Sequence, residues 1–105
     1  MLKVNIEYRK GILFVRLKGF LTVYTYDSLN NYLSNIIRQL GIKYIVFNLS
    51  KLDVMDNYGR LAITSIINEV KNNHGRGLIC KSKLWFDEKF KIIDDELTAF
   101  KMVKI

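Results

Sequence analysis

Apolar and polar residues alternate from the first position. Leu2, Val4, Ile6 and Tyr8 are interleaved with Lys3, Asn5 and Glu7, a period of two that predicts a half-buried strand. Arg9-Lys10-Gly11 supplies a turn, and Ile12-Leu13-Phe14-Val15-Arg16-Leu17 a second strand, so the first two strands are expected to form a hairpin closed by Lys18-Gly19-Phe20-Leu21-Thr22. Beyond the possible caps in Thr25-Tyr26-Asp27-Ser28 the period changes. Leu29, Leu33, Ile36 and Leu40, with Tyr32 beside them, predict a helix ending near Gly41.

Lys43 to Leu49 holds a short apolar run, Ile45-Val46-Phe47, of the kind a strand covered on both faces shows. A polar loop is expected over Ser50 to Asp56. A helix follows from about Tyr58 to Asn72, with Ile63, Ile66, Ile67 and Val70 on one face. Asn73-His74-Gly75-Arg76-Gly77 breaks it, and Gly77-Leu78-Ile79-Cys80 completes a β-α-β unit whose right-handed crossover makes the strands parallel. A short helix is expected within Ser82 to Phe90, and Phe90-Lys91-Ile92-Ile93 reads as an edge strand. Asp94-Asp95-Glu96 opens a last helix with Leu97, Phe100 and Val103 as its apolar face, a strand over 98–105 being the rival. Residues 1–105 read as a single α/β domain: a mixed sheet of four to five strands, the hairpin plus parallel β-α-β units, with about four helices.

Composition narrows the function. Half the residues are apolar, 26% are charged and proline is absent, which speaks against disorder. No apolar run approaches the roughly 18 residues of a membrane span, and the N-terminus lacks the apolar block of a signal peptide. With Cys80 as its one cysteine, the chain is expected in a reducing cytoplasm. The net charge of +7 suits an acidic protein, an anionic membrane or nucleic acid, but the lysines and arginines are scattered rather than blocked.

The chemistry of a catalyst is missing. His74 sits in a glycine-flanked turn, and Cys80 in an apolar strand fits an inert thiol. One histidine and one cysteine cannot build a zinc site of the usual kind, and no phosphate- or dinucleotide-binding glycine pattern occurs. Asp53, Asp56 and Asp94-Asp95-Glu96 read as loop and cap residues, and Trp85 as a packing residue. No cofactor and no enzyme activity are expected.

Four segments resemble the STAS domain family of bacterial anti-sigma factor antagonists. Val15-Arg16-Leu17-Lys18-Gly19-Phe20-Leu21 is similar to its V-R-L-x-G-x-L segment, and Tyr44-Ile45-Val46-Phe47-Asn48-Leu49-Ser50 to its I-V-L-N-L-S strand. Val54-Met55-Asp56-Asn57-Tyr58-Gly59 stands where the family has F-M-D-S-S-G, and Phe90-Lys91-Ile92-Ile93 matches its F-K-I-I ending. The resemblance implies a protein-interaction module that binds a kinase-type anti-sigma factor or another regulatory protein. The implied partner-binding residues are Thr22, Tyr24, Asp27, Asp56, Asn57, Tyr58, Gly59 and Arg60. In such antagonists the second serine of D-S-S-G is phosphorylated, and the phosphorylated form does not bind.

Tyr58 stands at that serine's position and Asn57 at the other. A tyrosine hydroxyl lies about 6.5 Å from its Cα, far beyond a serine's reach, so a serine kinase is not expected to use it. Thr64 and Ser65, one to two turns into the helix, are poor substitutes. The competing expectation is a basic nucleic-acid-binding domain, which requires the scattered cations to converge on one face.

Overall fold

The computed structural model describes residues 1–80, 84 and 90–103. Five strands, β1 (Leu2–Arg9), β2 (Ile12–Leu21), β3 (Tyr44–Met55), β4 (Arg76–Cys80) and β5 (Lys91–Ile93), lie side by side in that order. Among the described residues there are three helices, α1 (Tyr26–Leu40), α2 (Asn57–Asn72) and α3 (Glu96–Met102). The short helix expected over Ser82 to Phe90, and Trp85 with it, falls outside the described residues. β1 and β2 form the antiparallel hairpin, joined by Lys10 and Gly11 at φ 51° and 83°, the left-handed pair that suits a tight two-residue turn. The β2–β3, β3–β4 and β4–β5 pairs are parallel.

The sheet is covered unequally. Leu13, Val15, Leu17, Ile45, Phe47 and Leu49 face α1 and α2. Ile12, Phe14, Val46, Leu78 and Cys80 face α3, which covers only part of that side. This double burial is why β2 and β3 read as unbroken apolar runs. α3 is fastened to the sheet by Arg16, whose guanidinium donates to both carboxylate oxygens of Glu96 at 2.9 and 2.7 Å and to Glu7 at 2.9 Å. Those bonds, Glu96 first, raise the Arg16 pKa above its already high value, against an opposing effect of burial.

Several elements differ from the pattern. β3 does not stop at Leu49 but continues to Met55, so the expected polar loop is strand. Two register slips against β2, between Arg16 and Lys18 and between Gly19 and Phe20, break the alternation there and disguise it. In α1 the buried stripe is Leu29, Leu33 and Ile37; Ile36 only flanks it, and Leu40 is exposed. Thr25 makes no side-chain cap; its hydroxyl oxygen accepts instead from the Thr22 N–H while its proton goes to the Phe20 carbonyl. Residues Glu96–Met102 are helix rather than strand, but Ala99 and Val103 carry the burial while Leu97 is exposed.

Candidate functional site

The carboxyl ends of β2 and β3 lie together, Leu21 opposite Met55, and deliver the chain into two adjacent turns. One is the loop of residues 22–25 leading into α1; the other is Asp56, which starts α2. Asp56 is the cap expected of it: one carboxylate oxygen accepts from the Gly59 N–H at 2.9 Å. Its other oxygen reaches across to accept from the Val23 N–H at 2.9 Å, and its own N–H donates to the Leu21 carbonyl at 3.3 Å. One side chain thus ties the α2 N-terminus, the 22–25 loop and the end of β2 into one unit. The Gly59 bond above all, then the Val23 bond, holds the Asp56 carboxyl below the usual carboxylate range, against the opposing effect of burial.

The loop is also ordered from within. The Thr22 N–H donates to the Thr25 hydroxyl at 2.9 Å, and the Thr22 carbonyl accepts from the N–H groups of Thr25 and Tyr26. Tyr24 is left projecting, 92% exposed. Asp27 stands exposed in the first turn of α1. On α2, Asn57 is exposed and accepts from the Arg60 guanidinium at 2.6 Å. Tyr58 is half-exposed, and its ring packs on that of Tyr26 with centroids 5.4 Å apart. Gly59 is buried so close against Leu21 that a Cβ there would lie 2.3 Å from the Leu21 carbonyl oxygen. The Thr64 hydroxyl is turned back onto the Arg60 carbonyl at 2.9 Å.

Residues 3–94 match the STAS domain family. The chain belongs to that family. A relative, the anti-sigma F factor antagonist of Paenibacillus polymyxa, is 28% identical over 79 residues, spanning 75% of this chain and 68% of that protein. The anti-sigma factor antagonist SpoIIAA in its unphosphorylated form superposes with a TM-score of 0.81 at 20% identity, over 95% of this chain and 96% of its own. The phosphorylated form of SpoIIAA, a Bacillus cell fate determinant, superposes with a TM-score of 0.73 at 16% identity, over 96% of this chain and 100% of that one. These superpositions establish the fold of the anti-sigma factor antagonists for this STAS domain.

Three contributors to the site escape the sequence pattern. Val23 acts through its backbone N–H, which leaves no trace in residue type. Tyr26 reads as part of a cap segment, although it is the ring on which Tyr58 rests. Leu61, 64% exposed, falls off the buried stripe of α2, and that wrong phase is a signal a sequence does carry. His74 is exposed in its turn and Cys80 is buried, as expected. Among the described residues no three His, Cys, Asp or Glu side chains gather as metal ligands, and no helix is long and apolar enough to cross a membrane.

Proposed function

We propose that this STAS domain is a non-enzymatic, cytoplasmic interaction module that docks a regulatory protein of the kinase-type anti-sigma factor class. The docking surface is the end formed by the 22–25 loop, Asp56 to Arg60 and the exposed start of α2. The observation that carries this reading is the set of apolar side chains left in solvent around the Asp56 tie: Val23 at 42%, Tyr24 at 92%, Tyr58 at 50% and Leu61 at 64% exposure. Each sits on backbone fixed by hydrogen bonds, so ordering them against a partner costs little further entropy. Aromatic side chains so placed are the residue type that anchors protein interfaces.

Phosphorylation control of the D-S-S-G kind is absent from this reading. Tyr58 replaces the acceptor serine, and its ring is engaged with Tyr26 rather than presented as a short hydroxyl. The module then binds its partner constitutively, with regulation lying in its abundance or in the partner.

Titration calorimetry with a purified kinase-type anti-sigma factor tests the docking claim. Tyr58→Ala and Leu61→Ala are expected each to weaken binding about tenfold or more. Failure of the parent protein to bind, or unchanged affinity in both variants, overturns it. Intact-mass measurement after incubation with the same partner and ATP is expected to show no added phosphate; phosphate on Tyr58, Thr64 or Ser65 overturns the constitutive reading.

A further inference from the structure

The outer edge of β1 supports a second inference, whose surface meets the proposed docking surface at Tyr24. Among the described residues β1 is the first strand in the sheet and pairs only with β2. The Phe20 N–H donates to the Met1 carbonyl at 3.1 Å. From that bond the antiparallel alternation turns the backbone groups of Lys3, Asn5, Glu7 and Arg9 towards β2 and leaves those of Leu2, Val4, Ile6 and Tyr8 at the open edge.

Two hollows flank this edge, one on each face of the sheet. The first, of about 520 Å³, lies beside the strip that α3 leaves uncovered, and its charged lining is Lys3, Arg16, Lys18 and Lys51. Arg16 is neutralised by Glu7 and Glu96. Among the described residues the three lysines join no ion pair. They stand in direct lateral register, Lys3 opposite Lys18 and Lys18 opposite Lys51. Neighbouring strands are only about 4.8 Å apart, and like charges facing each other across them are destabilising. A lysine on an edge strand is a common guard against unwanted pairing. Lys18 and Lys51, on inner strands, have no such use, so the row points to a ligand that relieves the repulsion. The second hollow, of about 410 Å³, lies between β1 and α1 and is lined by Leu2, Val4 and Leu29 with the exposed rings of Tyr24 and Tyr32.

We propose that the β1 edge accepts an added strand from a partner protein, a segment in which acidic and apolar residues alternate. Successive side chains of a strand point to opposite faces. A strand hydrogen-bonded to Leu2, Val4 and Ile6 would therefore set one series of side chains on the lysine face, where an acidic residue opposite Lys3 meets the end of the row, and the other in the apolar hollow. This is strand addition with a pocket for each alternate residue. Nucleic acid would engage the lysines but neither the open backbone groups nor the apolar hollow. A second copy brings another +7 chain against this one, like charge against like.

The probe is a short fluorescein-labelled peptide of alternating Glu and Val, followed by anisotropy near physiological salt. A Glu/Val peptide of equal composition arranged in blocks, a Lys/Val alternating peptide and a short single-stranded DNA are the comparators. Only the alternating acidic peptide is expected to bind, and hydrogen exchange should slow at the amides of Val4 and Ile6. Lys3→Gln with Lys18→Gln is expected to weaken binding roughly fivefold. Val4→Pro removes an outward N–H, which an edge strand tolerates, and should abolish binding; if that variant does not fold, exchange and the lysine variants decide. Tyr58→Ala should leave peptide affinity unchanged, which separates this edge from the α2 surface. The proposal is overturned by absence of peptide binding, by equal binding of the block peptide or DNA without amide protection, or by a doubled mass without peptide in which the same amides are protected.

Discussion

Replacing Gly59 by alanine asks whether the α2 N-terminus is seated on β2 or only passes near it. Gly59 is the buried third residue of a regular helix, so its small size matters there and not its conformational freedom. An added Cβ would fall 2.3 Å from the Leu21 carbonyl oxygen and 2.8 Å from Leu21 Cγ. Reaching even 3.0 Å requires the two backbones to part by roughly 0.7 Å in a region packed at interior density. The Leu21 carbonyl also accepts the Asp56 N–H at 3.3 Å, a bond already long, so the parting is drawn from the hydrogen bond that docks the site. Leu21 itself is fully buried and has little room to turn aside. Overpacking of this kind costs ~1–3 kcal/mol, and alanine's better helix propensity returns up to ~1 kcal/mol, leaving a loss of about 1–2 kcal/mol. For a domain of this size that lowers Tm by about 5–15 °C. Urea and thermal unfolding followed by circular dichroism measure it, and amide NMR should show shifts at Val23 and Gly59, the two donors to Asp56. Gly41→Ala is the comparison: at φ 60°, with nothing within 4 Å of the new Cβ, it is strained without crowding and should leave those two amides in place. A Gly59→Ala protein as stable as its parent, with Val23 and Gly59 amides unmoved, would refute the seating.

Glu96→Ala removes the forked partner of Arg16; because the pair is partly exposed, the expected loss is about 1 kcal/mol by urea unfolding, with faster amide exchange in α3. The depressed Asp56 pKa means that its ionised form is favoured by folding, so its contribution is present above the ordinary carboxylate value of about 4 and is lost as pH falls below it. Exchange protection of the Gly59 and Val23 amides should fall in that window, and Asp56→Asn, which keeps a capping oxygen, should remove the pH dependence. Leu33→Ala should cost about 3 kcal/mol of unfolding free energy, against less than about 0.5 kcal/mol for the exposed Leu40→Ala.

The legible parts of the fold are those in which one period runs uninterrupted. The α2 stripe and the hairpin are read from residue order, because each residue's environment there is set by near neighbours. The phase of α1 and of α3 was harder. Leu40 and Leu97 are apolar residues that end in solvent, and periodicity cannot tell an exposed leucine from a buried one. The far half of β3 escaped because each register slip resets the alternation that marks a strand. Of the site, Asp56 and Gly59 were visible as a cap and a junction glycine. The Val23 N–H that Asp56 captures, 33 positions away, was not. The lysine row is likewise assembled from residues far apart in sequence, aligned only by strand pairing.

The two slips between β2 and β3 bear on how such a domain tolerates insertion and deletion. β3 takes twelve residues to travel beside the ten of β2, so both strands finish level, with Leu21 opposite Met55. Removing a single residue from the stretch Ser50 to Asp53 would not simply shorten a strand. It would take out the extra residue of one slip, straightening the strand there and lessening the local twist that sets Asp56 beside Leu21 and Val23. The residue count of that strand and the chemistry of the turn that follows are thus one heritable unit, and lengths are free to drift only outside it.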